Sequence, residues 1–109
     1  EIKIKKLTLK SEKKGKILHK GLNSLSKKFP NLFKVYGKGL IASMIFDKKI
    51  KNINQKLKLL VEDAMKNGLL LCYTGRESIK IGPPLTITED AIMEALEVIE
   101  KSITNIFNK

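Results

Sequence analysis

The stretch LIASMIF at residues 40–46 decides the fold, because it is almost wholly apolar and is bounded by Gly39 and Asp47. A run of this length predicts a β-strand that is covered on both faces, or nearly so. Residues 69–73 and 78–81 are apolar enough to form two further strands. The Gly-Arg turn between these two strands predicts that they form a hairpin.

Three segments outside these strands have apolar residues at helical spacing. The first is predicted to run from Ser11, a suitable N-cap, to Phe29, because Pro30 ends it. The third is capped by Thr88, and its first turn carries the acidic residues that a helix dipole favours. The predicted buried positions are Leu18, Leu22, Leu25 and Phe29 in the first helix, Ile53, Leu57, Leu60, Val61 and Ala64 in the second, and Ile92, Leu96, Ile99, Ile103 and Ile106 in the third.

The first helix contains two glycines, and the segments that flank it are less regular. Gly15 and Gly21 each cost the helix up to about 1 kcal/mol relative to alanine. Such glycines are tolerated where another part of the chain passes close, so we expect close packing at both. Residues 1–10 form a poorly defined lead-in, either a short strand or the frayed end of a helix, and residues 31–38 form a connector.

These elements predict an α/β fold in two layers with the order α-β-α-β-β-α. A small, three-stranded, mainly antiparallel sheet with helices packed on one face would bury the three amphipathic helices and the three apolar strands. The length of 109 residues fits one domain. We therefore expect residues 1–109 to form a single domain.

The net charge of +11 is concentrated in one half of the chain. Residues 1–56 carry 16 lysines and three acidic residues, whereas residues 57–109 have a net charge of −2. A basic half can bind nucleic acid or an anionic membrane. However, the basic residues are almost all lysine, they lie on the polar faces of amphipathic segments, and aromatic residues are not interleaved with them. This pattern favours a solvated surface over a nucleic-acid site.

The composition also indicates the cellular compartment in which we expect the protein to lie. Cys72 is the only cysteine and cannot form a disulfide within the chain, which suits the reducing cytoplasm. There is no stretch of about 20 apolar residues and no signal-peptide pattern, so we expect no membrane partner. The chain begins with Glu1 rather than Met, and we expect it to be part of a longer protein.

Local patterns do not assemble a catalytic centre. His19, the only histidine, is predicted to be solvated on the exposed side of a lysine-rich helix. Cys72 lies in a predicted apolar strand, where a thiol behaves as a small hydrophobic group, and no Cys/His cluster has the spacing of a metal site. The segment around Lys38 lacks the phosphate-loop pattern, and a strand rather than a helix follows it. We therefore expect no catalytic, cofactor-binding or metal-binding residue in this chain.

Four stretches of the sequence follow one another in an order and spacing that is typical of a known family, and two of them are the most specific. Residues 35–41, VYGKGLI, resemble the connector V-R-G-K-G-L-M of class III aminotransferases. Residues 79–90, IKIGPPLTITED, resemble I-R-x-x-P-P-L-x-I-T-E-E near the C-terminus of the family. The structural residues of these two motifs are Gly37 and Gly39 in the first, and Pro83 and Pro84 in the second.

Two weaker matches extend the resemblance over most of the chain. Residues 64–71 match A-x-x-x-G-L-L, and residues 15–25 match the helix pattern G-x-x-L-x-x-x-L-x-x-L. With four matches in the same order and spacing, the resemblance extends over about residues 11–107. Whatever its further role, the paired proline segment is suited to a rigid turn between a strand and a helix.

The resemblance implies the C-terminal small domain of a fold-type I enzyme that uses pyridoxal phosphate, an aminotransferase or a close relative. It implies that the cofactor lysine belongs to a large domain outside these residues, so that this chain would be inactive and would bind no cofactor by itself. The small domain would form one wall of the cleft that takes the amino-group donor or acceptor. The parent enzyme would be a homodimer.

The chain departs from the family pattern at two positions. The arginine before the paired prolines, which in the family receives a substrate carboxylate, is Lys80 here, and the connector arginine is Tyr36. Lysine offers a point charge without the planar fork of arginine, so the change is not neutral. Three explanations stay open. The substrate lacks the usual α-carboxylate, as in an amino sugar or an aminomutase-type substrate; Lys80 holds a carboxylate less rigidly; or Lys80 has only a structural role.

Two functions of other classes also stay open. A free-standing basic module would bind nucleic acid or an acidic partner in a strongly salt-dependent way. A dimerisation module would use the apolar stripe from Ile92 to Ile106 as its seam.

Overall fold

The computed structural model describes residues 2–83 and 86–107, with side chains from Glu12 onward. The four strands in these residues form one antiparallel sheet in the order β1-β2-β4-β3. The predicted class, a small antiparallel sheet with helices packed on one face, is confirmed, and the sheet has one strand more than the three predicted. The elements are α1 (Ile2–Lys28), β1 (Phe33–Lys38), β2 (Ile41–Phe46), α2 (Ile53–Lys66), β3 (Cys72–Tyr73), β4 (Ser78–Ile81) and α3 (Glu89–Phe107).

The helices form a layer in which α3 lies between α1 and α2, while α1 also contacts β1 and α2 contacts β3. The ring of Phe107 at the end of α3 stacks on Phe46, with centroids 5.7 Å apart, and Phe46 contacts Phe33 at 5.3 Å. The apolar stripe of α3 is buried inside the domain and is not available as a dimer seam. Of the predicted helical positions, Leu18, Leu22, Leu25, Ile53, Leu57, Leu60, Ala64, Ile92, Leu96, Ile99 and Ile103 are buried, and Phe29, Val61 and Ile106 are partly buried.

The sheet has one closed face, which packs against the helices, and one open face. Along β2, Ala42, Met44 and Phe46 are buried on the closed face, whereas Ile41 and Ile45 lie on the open face and are 61% and 45% exposed. The prediction that this strand is covered on both faces is therefore wrong for this chain, because its helices cover only one side. The open face carries Lys34, Tyr36, Lys38, Ile41, Ser43, Ile45, Cys72, Ser78 and Lys80.

The predicted connector at residues 31–38 contains the edge strand β1. Apolar and polar side chains alternate from Phe33 to Tyr36, as in a strand with one buried face, but the glycines that follow obscure the pattern. The turn between β1 and β2 consists of Gly39 and Leu40. Gly39 has a φ of 62°, and a positive φ at the first of two turn residues is the type II′ arrangement that suits a tight hairpin.

Helix α1 is longer than predicted. It begins at Ile2 and continues through Ser11, so the N-cap prediction is wrong, and of the two alternatives for the lead-in the helix is correct. The helix does not begin at Ser11 because the residues before it are rich in lysine, a good helix former. Although α1 has 27 residues, neither it nor any other helix in the described part of the chain has the apolar length that a membrane span requires.

The two glycines of α1 lie at close contacts, as expected. A Cβ atom on Gly15 would lie 2.6 Å from the carbonyl carbon and oxygen of Gly39, so the helix packs directly on the backbone of the β1–β2 turn. A Cβ atom on Gly21 would lie 2.2 Å from Cδ1 of Leu96 in α3. The absence of side chains at these positions therefore sets how closely α1 approaches the hairpin and α3.

The second half of the sheet is a hairpin, as predicted, but β3 has only two residues instead of the five predicted at 69–73. The backbone N–H of Leu69 donates to the carbonyl of Ala64, and Gly68 has a φ of 85°, so the residues after α2 close the helix end before the strand begins. The predicted cap of α3 is confirmed, because Thr88 Oγ1 accepts a hydrogen bond from the N–H of Ala91 at 3.1 Å.

Candidate functional site

Lys80 lies within a row of side chains that crosses the open face. Tyr36 pairs with Ser43, Ser43 pairs with Lys80, and Lys80 pairs with Cys72. Neighbouring strands are about 4.8 Å apart, so the backbones at Tyr36 and Lys80 are separated by about 10 Å. The two positions at which the sequence departs from the family pattern are far apart along the chain, and the sheet brings them into one row.

The two most specific family stretches also meet in space. The pairing of Ala42 with Ile81 places the end of β4 beside the start of β2, next to the turn that contains Gly39. Gly37, with a φ of 120°, lies at this end of the sheet, and Pro83 follows β4 there. Pro84 lies outside the described residues. The paired-proline stretch and the glycine connector therefore border the same edge of the open face.

The open face is cationic. Lys34, Lys38 and Lys80 are exposed on it, and none of the three forms an ion pair with another residue that the structure describes. Two acidic residues, Asp47 and Glu77, border the face, where they line a pocket with Lys34, Tyr36 and Ile45. Elsewhere, ion pairs join α1 to α3, between Lys13 and Glu89 and between Lys28 and Glu100. The lysines of the open face are therefore available to bind an anion.

The centre of the open face is apolar. Tyr36, Ile41 and Ile45 are 52%, 61% and 45% exposed, and they surround the half-buried Ser43. Large apolar side chains that are exposed together are typical of a surface that contacts a ligand or another protein segment. The face thus combines an apolar centre with a rim of lysines.

A polar cluster fixes the β3–β4 hairpin to α2 and so positions the strand that carries Lys80. The side-chain oxygen of Asn54 accepts hydrogen bonds from the Tyr73 hydroxyl at 2.6 Å and from the backbone N–H of Glu77 at 2.9 Å. Glu77 has a φ of 34°, an uncommon value for a residue with a side chain. The hydrogen bond from its N–H to Asn54 helps to hold this conformation at the start of β4.

Two sequence predictions about reactive side chains need correction. His19 is half-buried rather than solvated, and its Nε2 is buried without a hydrogen-bond partner, because α1 turns this residue partly inward. Cys72 is exposed rather than packed as a small hydrophobic group, because it lies on the open face of the short β3. Within the described residues, no three His, Cys, Asp or Glu side chains come close enough to hold a metal ion.

The fold and the open face define a small α/β domain whose sheet has a second side suited to contact with other molecules. The family model "Aminotransferase class-III" matches residues 1–103, and the chain belongs to this family. The sequence had indicated this family through the stretches at residues 35–41 and 79–90.

Relatives with known activities support the same family. The mitochondrial acetylornithine aminotransferase of Eremothecium gossypii is 31% identical over 93 residues, which cover 85% of this chain and 20% of that protein. The acetylornithine aminotransferase of Caldanaerobacter subterraneus subsp. tengcongensis is 30% identical over 95 residues, which cover 87% of this chain and 23% of that protein. The chain therefore spans about a fifth of the length of these relatives.

Solved structures show the same fold. The crystal structure of acetylornithine aminotransferase from Elizabethkingia anophelis is 30% identical and superimposes with a TM-score of 0.79, covering 95% of this chain and 27% of that one. The lysine aminotransferase from M. tuberculosis has a TM-score of 0.84 over 96% of this chain and 23% of its own. At 19% identity this second likeness concerns the fold alone.

Proposed function

We propose that this chain is the C-terminal small domain of a homodimeric class III aminotransferase that uses pyridoxal phosphate, and that its open face forms one wall of the substrate cleft. The observation that carries the proposal is the open face, on which the exposed Ile41 and Ile45 border the row of side chains from Tyr36 to Lys80. Family membership and the small share of the relatives' length that the chain spans supply the context.

The exposed apolar residues of the open face support the proposal that another domain covers this face. Full burial of a large aliphatic or aromatic side chain contributes about 1.5–3 kcal/mol. The LIASMIF strand has the sequence of a strand covered on both sides, yet Ile41 and Ile45 remain exposed in this chain. A large domain closing over this face would cover them and would leave a cleft at the polar row.

Lys80 is the residue we expect to contact the substrate. It occupies the position of the carboxylate-binding arginine in the family pattern, it is exposed, and it has no carboxylate partner among the described residues. Its ammonium group would hold a substrate carboxylate as a point charge, without the two parallel hydrogen bonds of an arginine. The hydrogen bonds to Asn54 at the start of β4 would keep the strand in place as the substrate binds.

We expect the cofactor itself to be held outside the described residues. A lysine that reacts as a free amine at neutral pH needs a desolvated site or a neighbouring cation to lose its proton. None of the lysines with a described side chain is fully buried. Pyridoxal phosphate supplies the electron sink for amino transfer when bound, so the part of this chain would be to bind and orient the substrate.

A cofactor-labelling experiment tests the proposal. Pyridoxal phosphate is added to the purified chain, the absorption spectrum is recorded, and borohydride reduction is followed by mass spectrometry. We expect slow labelling scattered over many lysines. A stoichiometric adduct at one lysine would mean that the chain binds the cofactor by itself, and the proposal of a partial site would fail. Tight, strongly salt-dependent binding to single-stranded RNA would instead favour a basic nucleic-acid module.

A further inference from the structure

We infer that Tyr36 and Lys80 select the substrate together: Lys80 binds one anionic group, and Tyr36 packs against an apolar or aromatic body attached to that group. The inference rests on the proposed function, which places the open face in the substrate cleft. It adds the class of molecule recognised, a monocarboxylate with an apolar body, in preference to a dicarboxylate.

The row geometry sets the distance between the two groups. Tyr36 and Lys80 flank Ser43, whose small side chain is the one that lies between them in the row. About two strand spacings separate the backbones of Tyr36 and Lys80. Both side chains are exposed, and they stand on either side of the half-buried Ser43. A carboxylate joined to a ring by a short aliphatic link is long enough to reach both.

Apolar side chains border the row on both sides of Ser43. Ile41 and Ile45 are the diagonal neighbours of Tyr36 and Lys80 on the central strand, and both are largely exposed. A ligand that crosses Ser43 therefore lies between two aliphatic side chains. Asp47 and Glu77 line a pocket beside Tyr36 and Ile45, so a ligand amine would find carboxylates on that side of Tyr36 and none within the row itself.

The charge of the row distinguishes a monocarboxylate from a dicarboxylate. The family pattern has an arginine at each of the two positions, whereas this row has one cation, Lys80, and the uncharged Tyr36. The other lysines of the face, Lys34 and Lys38, lie in neighbouring rows, opposite Ile45 and Ile41. The competing possibility is a dicarboxylate that bridges Lys80 and Lys38, and the experiment below distinguishes the two kinds of ligand.

The test is an NMR titration of the 15N-labelled 109-residue chain with 3-phenylpropionate, propionate and glutarate. We expect 3-phenylpropionate to shift the amide signals of Tyr36, Ser43 and Lys80 together. A contact between two aromatic rings of typical strength would make 3-phenylpropionate bind about three- to tenfold more tightly than propionate. Glutarate, which adds a charge but no ring, should bind no more tightly than propionate.

Three variants assign the roles. Tyr36→Ala should reduce the affinity for 3-phenylpropionate to that for propionate and leave propionate binding unchanged. Lys80→Gln should weaken the binding of both acids, and Lys80→Arg should retain it. Lys38→Gln is the matched control on the same face and should change neither affinity. All four changes are at exposed positions, and the spectrum of each variant without ligand checks that the fold is retained.

The outcomes that overturn the inference are distinct from those that overturn the proposed function. Tighter binding of glutarate, an unchanged affinity in Tyr36→Ala, or the lack of any shift on the open face would each refute the shared role of Tyr36 and Lys80. None of these results involves the cofactor. A single-lysine adduct with pyridoxal phosphate would refute the partial-site proposal, even if the ring preference were observed.

Discussion

The two faces of β2 carry similar side chains in different surroundings. On the closed face, Met44 is fully buried and Phe46 is 3% exposed, whereas Ile41 and Ile45 on the open face are 61% and 45% exposed. The strand is hydrogen-bonded on both edges, to β1 and β4, so the backbone does not distinguish the two faces. The difference teaches that packing among the described residues uses only one apolar face of the strand, and we propose that the second contacts another part of the enzyme.

The largest expected effect comes from removing closed-face packing. Met44→Ala deletes a fully buried side chain between the sheet and the helices, and we expect it to lower the free energy of unfolding by about 2–5 kcal/mol. Urea denaturation followed by circular dichroism measures the change.

The matched control is Ile45→Ala, one residue along the same strand on the open face. Because Ile45 is only half-covered, its truncation should cost less than about 1 kcal/mol. If the two variants lost equal stability, the open face would have to be packed within the chain itself, and the contrast between the faces would be wrong.

Much of the fold follows from local patterns in the sequence. Helical spacing identified the buried stripe of each helix, Gly68 and Thr88 marked helix ends, and the apolar run at residues 40–46 located the central strand. The edge strand β1 was missed because its alternation is short and ends in two glycines. Burial on both faces was predicted from apolar content, which cannot tell contacts within a chain from contacts with a neighbour.

The candidate site was less accessible to sequence reasoning. The family pattern pointed to Lys80, and the sequence also showed that Tyr36 replaces an arginine. Nothing local indicated that these residues share a row, because their proximity depends on the pairing of β1 with β2 and of β2 with β4. The role of Asn54 was not predicted for the same reason, since its partners Tyr73 and Glu77 are distant in sequence.

An intermediate loss of stability is expected from a substitution at the contact between α1 and the β1–β2 turn. Gly15→Ala places a methyl group 2.6 Å from the backbone of Gly39, so helix and turn must separate. We expect a net loss of about 1–2 kcal/mol, because strain of this kind outweighs the helix propensity gained with alanine. Urea denaturation again provides the measurement.

A second glycine in the same helix sharpens that result. In Gly21→Ala the new methyl group meets the side chain of Leu96 rather than a backbone, and a side chain can rotate away. The loss should therefore be smaller than for Gly15→Ala. A larger loss at Gly21 would mean that the contact between α1 and α3, rather than the contact with the hairpin, limits how closely the layers approach.

The smallest effect on stability is expected on the open face, where surface chemistry should change instead. Replacing both Ile41 and Ile45 by threonine keeps β-branched side chains that suit a strand, so the free energy of unfolding should change by less than about 1 kcal/mol. The exposed apolar area falls, and the fluorescence of a hydrophobic dye bound to the chain should fall with it. Leu59→Gln removes one exposed apolar side chain from α2 and serves as the control, with a smaller fall expected. If dye binding survived in the double variant but was lost in the control, the main exposed apolar surface would lie on the helices. The proposal that another domain covers the open face would then be wrong.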